Sequence, residues 1–241
     1  MKLFLAVIAA LTIPLAAAPE TDRLAESIKL YPALKSYADT GTVLSEFAPN
    51  ASHTHTFKTA FKAPRQFYFE FNADKRAGGR KIVIWCDGGD FQSWDSGLGL
   101  HQTYPRGSGT TLNAFATVMA GTGGAVAMIP SLIFAGSGLV ATVAELRDYA
   151  DRGVEDVGGH RSHKFAGLAV SVYPKTQRET NRRSATVWVD AETRLIRKVF
   201  DDTPEGLPAT AVMRTTLTFD PLANPPLGDE KFRFTVPVVQ K

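Results

Sequence analysis

The stretch Lys81 to Asp95, KIVIWCDGGDFQSWD, constrains the fold most because it has the pattern of a β-hairpin. Residues Ile82 to Trp85 favour a strand, Asp87-Gly88-Gly89 allows the positive φ of a tight turn, and the apolar pattern resumes at Phe91. A second hairpin, SATVWVDAETRLIRKVF, is predicted at Ser184 to Phe200. Two such hairpins, with strand candidates before, between and after them, predict one large antiparallel sheet.

The first residues have the pattern of a secretory signal. Lys2 precedes an uncharged run from Leu3 to Ala18, which is short for a membrane span. We expect a signal peptide at 1–18 and a single domain at 19–241, because no Pro/Ser linker divides the chain. Without a cysteine near the junction, lipid attachment to an N-terminal cysteine is excluded, so the expected product is a soluble periplasmic protein.

The charge and the cysteine content argue against nucleic acid binding and against an internal disulfide. The net charge of +3 is too weak a bias to indicate nucleic acid binding. Cys86 is the single cysteine, so no internal disulfide forms, and its place in a strand favours a small buried apolar residue. We expect a monomer without a cofactor.

The mature chain is predicted to begin with an amphipathic helix from Thr21 to Tyr37. Its apolar residues recur every three or four positions, and Thr21 is the expected N-cap. Pro32 is expected to kink or interrupt this helix. The apolar positions are Leu24, Ile28, Tyr31, Leu34 and Tyr37.

After Gly41, apolar and polar residues alternate with a period of two, which predicts strands. The clearest case is Phe67, Phe69 and Phe71, which face away from Gln66, Tyr68 and Glu70. Weaker strand candidates lie at Phe165 to Tyr173 and at Ala211 to Phe219, and a final strand is predicted at Lys231 to Pro237. The whole chain is expected to hold roughly nine strands.

The glycine-rich segment from Gly97 to Gly138 does not fit the strand pattern. It contains two almost uncharged stretches, Leu112 to Met119 and Met128 to Phe134, and Pro130 suits the first turn of a helix. Two short apolar helices between glycines are predicted. They either plug the core of the sheet or form a movable lid over a cavity, and we favour the plug because apolar helical stripes are usually core.

No pattern of catalytic or metal-binding residues is present. The pairs His53 with His55 and His160 with His163 lack a third ligand, and the chain has no G-x-S-x-G, H-E-x-x-H or P-loop motif. We therefore expect no enzyme, no metal and no catalytic residue. The chain also has a basic run, which is a solvated hairpin tip by default and otherwise a contact for anionic lipid or an acidic partner. It consists of Lys175, Arg178, Arg182 and Arg183.

Several short motifs recur in one known family. They are the helix at Thr21 to Tyr37, FKAPRQFYFEF at 61–71, Ile84-x-x-Asp87-Gly88, VWVD at 187–190 followed by Arg194 and Arg197, and LGDEKFRFTVP at 227–237. In the order of these motifs along the sequence, the chain resembles the bacterial periplasmic lipoprotein-carrier superfamily of LolA and LolB. This superfamily also includes the RseB-type sensors. The resemblance covers nearly the whole mature chain.

The resemblance implies an α+β fold in which a curved antiparallel sheet forms an unclosed β-barrel with helices covering its concave side. It also implies a hydrophobic cavity that receives acyl chains. The carriers have an arginine immediately before the proline of the second strand region, whereas here Ala63 precedes Pro64 and Arg65 follows it. We expect Arg65 to point to the opposite face. The chain therefore resembles a distant member rather than a true LolA.

The leading functional hypothesis is a non-enzymatic periplasmic binding protein whose half-barrel holds a lipid, the acyl chain of an acylated protein, or another hydrophobic ligand. The alternative is an envelope-stress sensor module that docks to a membrane-associated partner through a sheet edge or the loop at Lys175 to Arg183. The expected apolar lining is Phe67, Phe69, Phe71, Trp85, Phe115, Met119, Met128, Ile133 and Trp188.

Overall fold

A computed structural model describes residues 22–48, 51–107, 109–172, 179–208 and 210–237. These residues form an eleven-stranded antiparallel sheet with the order β6-β5-β4-β3-β2-β1-β11-β10-β9-β8-β7. The strands are β1 (Ser36–Ala48), β2 (Ala51–Lys62), β3 (Gln66–Asn72), β4 (Lys81–Cys86), β5 (Phe91–Asp95), β6 (Leu100–Tyr104), β7 (Leu146–Val157), β8 (His160–Val172), β9 (Glu179–Asp190), β10 (Ile196–Asp201) and β11 (Arg214–Ala223).

The sheet is open, because its two edge strands β6 and β7 do not pair with each other. Apart from β6 and β7, strands adjacent in sequence are neighbours in space, and the first and last strands, β1 and β11, pair in the middle of the sheet. Several helices accompany the sheet, and the apolar ones pack on one of its faces. The predicted fold class, an α+β unclosed barrel with helices on its concave side, is confirmed.

The helices are short. None within the described ranges is long and apolar enough to cross a membrane. They are α1 (Arg23–Leu30), α2 (Thr110–Met119), α3 (Ala125–Met128), α4 (Pro130–Ile133) and α5 (Thr142–Glu145). The helices α2 to α4 form one continuous segment, residues 110–134, which we call the apolar insert.

The period of two separates an inner from an outer face of the sheet. Phe67, Phe69 and Phe71 of β3 lie in the main core cluster, together with the buried residues of the apolar insert. Tyr68 of β3 lies in a smaller cluster on the opposite, outer face. The outer cluster comprises Ala60, Tyr68, Val83, Trp85, Trp94 and Phe232.

The N-terminal helix is shorter than predicted. It ends at Leu30 and continues as a single 3₁₀ turn, whereas Tyr37 already belongs to β1. The early end follows from Pro32, which has no N–H for a helical hydrogen bond. The N-cap is Asp22, whose Oδ1 accepts a 3.0 Å hydrogen bond from the Ala25 N–H. The expected N-cap Thr21 lies outside the described residues, as does the predicted signal peptide.

Both predicted hairpins are confirmed. In the first, β4 pairs with β5, and Gly88 in the intervening turn has a φ of 114°. In the second, β9 pairs with β10 around a turn whose N–H groups at Glu192 and Thr193 donate to Asp190 Oδ1. In the first turn the Gly89 N–H likewise donates to Asp87 Oδ1, so an aspartate begins each turn by accepting backbone hydrogen bonds.

Three strand predictions were incomplete or wrong. Strands β6 and β7 were not predicted, because their residues are mostly polar and exposed and because two register irregularities break the period of two in β7. The final strand at Lys231 to Pro237 does not form. Residues Asp229–Phe232 form a 3₁₀ turn instead, and Phe232 packs in the outer cluster. β11 is already paired with β1 on one side and with β10 on the other. The chain that follows β11 therefore cannot add a strand beside it and crosses the outer face instead.

Candidate functional site

The apolar insert packs against the inner face of the sheet. Aromatic rings join the two, with ring centroids 5.1 Å apart for Phe67 and Phe115 and 5.6 Å apart for Phe67 and Phe134. All side chains from Ala125 to Ile129 are buried. In this structure the insert therefore fills part of the half-barrel with the protein's own side chains, as the plug hypothesis expects, while its mobility stays a prediction.

A cleft remains between the insert and strands β8 to β11. Its volume is about 750 Å³, which is within the range of small-molecule pockets. One wall is apolar and the other is polar. The apolar wall contains Leu112, Met119, Ala127, Met128, Val140 and Met213, and the polar wall contains Thr142, Glu145, Ser171, Thr180, Arg183 and Asp201.

The polar wall is tied together by hydrogen bonds around Arg183. Its Nη2 donates a 2.7 Å hydrogen bond to Thr142 Oγ1, which in turn donates a 2.6 Å hydrogen bond to Asp201 Oδ2. Arg183 Nε lies 3.3 Å from Asp201 Oδ1, and Arg183 Nη2 lies 3.9 Å from Glu145 Oε2. Ser171 Oγ donates a 3.1 Å hydrogen bond to the same Glu145 oxygen. We call these five residues the polar end of the cleft.

The strand pattern explains how these residues meet. Along β9, Ala185 and Val187 belong to the inner core cluster, so Arg183 lies on the same face by the period of two. Asp201 of β10 pairs directly with Ala185 and is therefore a diagonal neighbour of Arg183. Thr142 comes from the short helix α5. The polar end thus combines two paired strands with a helix that follows the apolar insert.

The rim of the cleft exposes apolar side chains. Val140 is 55% exposed and Met213 is 50% exposed, and both line the cleft. Met119 is partly buried against the main core. Methionine side chains are flexible and polarisable, so they adapt to ligands of different shape. The rim and apolar wall together suit a long apolar group more than a compact polar one.

The residues predicted as the lining divide into three groups. Met119 and Met128 line the cleft. Phe67, Phe69, Phe71, Phe115 and Ile133 lie in the main core, where the insert covers the sheet. The third group consists of Trp85 and Trp188, which do not face the interior.

The expected inward position of Trp85 and Trp188 is corrected by the structure. Trp85 lies in the outer cluster because its neighbours Ile84 and Cys86 face inward, and successive strand residues alternate. Trp188 follows the inward Val187 and lies below Lys198, whose Nζ is 4.5 Å from the Trp188 ring centroid. Apolar residues occupy both sides of these strands, so the alternation alone does not show which side faces the interior.

The arginines of the basic run lie in different environments. Lys175 and Arg178 lie outside the described residues. Arg182 is exposed and its Nε lies 3.3 Å from Glu205 Oε2, as expected for a solvated hairpin. Arg183 instead turns into the cleft and is mostly buried. The alternation along β9 puts Arg183 on the face of Val187 and Val189, but only the packing shows that this face is inside.

Arg65 does not point to the opposite face as expected. Its guanidinium carbon lies 5.0 Å from the ring centroid of Phe91, which belongs to the main core cluster. Arg65 Nε also donates a 3.2 Å hydrogen bond to the Gly89 carbonyl in the β4–β5 turn. The residue sits in the turn between β2 and β3, where the strand alternation that motivated the expectation no longer applies.

Other regions of the described chain lack the features of a binding site. Within the described ranges, no group of three or more His, Cys, Asp or Glu side chains is placed to hold a metal. The rings of His53 and His55 stack with centroids 6.2 Å apart, and His163 Nδ1 lies 3.1 Å from Asp151 Oδ2. A second cavity of about 710 Å³ near β1, β2 and β11 is lined mainly by threonines and charged residues. The cleft is the candidate site because it combines an apolar wall with a polar end.

Comparison with known proteins gives similarity of fold alone. No protein-family model matches the chain, and no curated protein matches it significantly. Among solved structures, it is similar to LprF from Mycobacterium bovis, with 12% identity, a TM-score of 0.48 and coverage of 86% of this chain and 93% of that one. A LolA superfamily protein from Nitrosomonas europaea has 12% identity and a TM-score of 0.36, with 88% of this chain and 96% of that one covered.

The MucA/MucB complex of Pseudomonas aeruginosa is a further match. The identity is 16% and the TM-score 0.36, and the match covers 88% of this chain but 59% of that one. The matches include a LolA superfamily protein, the group that the sequence motifs resemble. At these identities and TM-scores, the matches support no statement about what the protein binds.

Proposed function

We propose that this protein is a non-enzymatic binding protein that holds the acyl chain of a lipid, or another long apolar group, in the cleft. The observation that carries the proposal is a cleft of about 750 Å³ with an apolar wall on one side and a polar end on the other. An amphiphile has the same two parts. We also propose that the signal at 1–18 directs the chain to the periplasm and that residues 19–241 form one domain.

Burial against the apolar wall is the source of favourable free energy for such a ligand. Burying one methylene group contributes about 0.8 kcal/mol, so a fourteen-carbon chain contributes on the order of 10 kcal/mol before ordering costs. Leu112, Met119 and Met128 are the residues we propose to contact the chain. A ligand at Phe67, Phe69, Phe71, Phe115 or Ile133 would require the apolar insert to move away from the sheet, because these residues are in the core.

The test has two parts. Native mass spectrometry of protein purified without detergent, followed by lipid extraction, should find a bound amphiphile and identify whether its chain belongs to a free lipid or to an acylated protein. Binding of a fluorescent alkyl probe with an uncharged head group should then weaken at least about tenfold in Leu112→Glu, since the carboxylate enters the apolar wall.

The matched control is Leu98→Glu, because Leu98 is 69% exposed in the β5–β6 turn and does not line the cleft. This variant should bind as the unaltered protein does, and thermal melting should show that both variants are folded. If no amphiphile co-purifies or binds, or if the two variants bind equally well, the proposal is wrong.

Docking to a membrane-associated partner is the second hypothesis, and the structure gives it less support. Among the described residues no strand pairs with the outer side of β7, but the register of β7 is irregular between Arg147 and Ala150 and again between Asp151 and Val154. Such irregularities hinder the addition of a partner strand. Arg183, one of the basic residues proposed for docking, is turned into the cleft.

A further inference from the structure

The polar end of the cleft carries more negative than positive charge. Two carboxylates, Glu145 and Asp201, surround one guanidinium, Arg183, and their side chains are only 10%, 16% and 15% exposed. Asp202 also lines the cleft, but it is paired with Arg214 at 2.8 Å. Among the described lining residues, one carboxylate charge therefore has no guanidinium of its own.

The guanidinium of Arg183 is already engaged by the protein. Nη1 donates a 3.1 Å hydrogen bond to the Asn181 carbonyl, and Nη2 donates to Thr142. Nε lies 3.3 Å from Asp201. Each of its three nitrogens thus has a protein oxygen nearby, so an anionic ligand would have to displace these contacts. It would also lie beside two carboxylates in a partly buried site, where charges are less screened than in water.

From this geometry we infer that the cleft selects amphiphiles whose head group carries a protonated amine over those with an anionic head group. The inference rests on the proposed function and specifies its ligand class. An ammonium group brings three N–H donors and a positive charge to the carboxylates of Glu145 and Asp201. The alkyl chain then extends along Leu112, Met119 and Met128.

The experiment compares three ligands with the same ten-carbon chain. Decylammonium, decanol and decanoate are titrated into the full protein by calorimetry, the two ions below their micelle concentrations and decanol below its solubility limit. We expect decylammonium to bind about tenfold more tightly than decanoate, with decanol between them, because the chain is constant and only the head charge changes. The preference should weaken as salt is added.

The variant Glu145→Gln keeps the size of the side chain and removes one carboxylate charge. Decylammonium should lose about fivefold in affinity, and decanol should lose less, because its head group carries no charge. The control is Glu192→Gln, because Glu192 is exposed in the β9–β10 turn and does not line the cleft. It should leave all three affinities unaltered.

The outcomes separate the inference from the proposed function. If all three ligands bind equally, or decanoate binds most tightly, the head-group inference is overturned while chain binding stands. If Glu145→Gln leaves decylammonium unaffected, the inference is likewise overturned, because the carboxylate then has no part in selection. If none of the three ligands binds, the proposed function itself fails.

Discussion

The guanidinium of Arg183 donates a 2.7 Å hydrogen bond to the hydroxyl of Thr142. This contact joins β9 to α5, and the same hydroxyl donates to Asp201 of β10. Thr142 is therefore both acceptor and donor in a largely buried arrangement, and its hydroxyl connects the charged groups at the polar end.

Replacing Thr142 by valine should destabilise the protein. The Thr142→Val variant keeps the shape of the side chain but leaves Arg183 and Asp201 each without one hydrogen-bond partner. We expect the free energy of unfolding to fall by about 1–3 kcal/mol, measured by urea denaturation. Thr103→Val is the control because Thr103 is exposed on the edge strand β6. Equal stabilities of the two variants would contradict the structural importance of this hydroxyl.

Replacing Arg197, which forms a buried ion pair on the other side of the sheet, should destabilise the protein more than replacing Thr142. Arg197 Nε lies 2.9 Å from Asp190 Oδ2, and both side chains are almost fully buried. Arg197→Met should lower the free energy of unfolding by about 3–5 kcal/mol, because it leaves the Asp190 carboxylate buried without its guanidinium. The control Arg182→Met removes an exposed pair with Glu205 and should cost less than about 1 kcal/mol.

The double variant Arg197→Met with Asp190→Asn tests the cause of that loss. The asparagine oxygen can still accept the turn hydrogen bonds from Glu192 and Thr193, but it has no charge to leave unpaired. Part of the lost stability should therefore return in urea denaturation. A double variant less stable than Arg197→Met alone would show that the uncompensated charge is not the cause.

Asp39 should make stability depend on pH. Burial raises the pKa of Asp39 to about 6, even though the Tyr37 hydroxyl donates a 2.7 Å hydrogen bond to it. Between about pH 4 and pH 6 the folded protein therefore holds a proton that the unfolded chain has released. Because the folded state binds more protons there, the contribution of Asp39 to the unfolding free energy falls as pH rises, by about 3 kcal/mol in total.

The measurement is urea denaturation from pH 4 to pH 7, comparing the unaltered protein with Asp39→Asn. The variant has no carboxyl group to ionise, so its stability relative to the unaltered protein should increase through this range and level off above about pH 6. Parallel curves for the two proteins would show that Asp39 is not protonated in the folded state at pH 5.

The apolar insert should exchange its amide hydrogens faster than the central strands do. Its helices are short, and Gly121, Gly123 and Gly124 between α2 and α3 lower the cost of backbone rearrangement. Hydrogen exchange of residues 112–134 should therefore show less protection than that of Ile82 to Trp85 in β4. Added decanol should raise protection in the insert. Equal protection in both segments, unaltered by the ligand, would indicate a fixed plug.

Much of the fold could be predicted from local patterns. The alternation in β3, the turn at Asp87-Gly88-Gly89 and the apolar character of residues 112–134 follow from side-chain period, backbone preference and hydrophobicity. These properties depend on residues close together in the chain. They were sufficient to predict an antiparallel sheet with two hairpins and an apolar helical segment packed against it.

The tertiary structure decided which face is inside and where the cleft lies. A period of two shows that Trp85 and Val83 share a face, but only packing against the insert shows that Ile84 faces the core instead. Arg183 and Asp201 are distant in sequence and meet because β9 pairs with β10 in one register. The candidate site depends on such long-range contacts, and no local pattern in the sequence determines them.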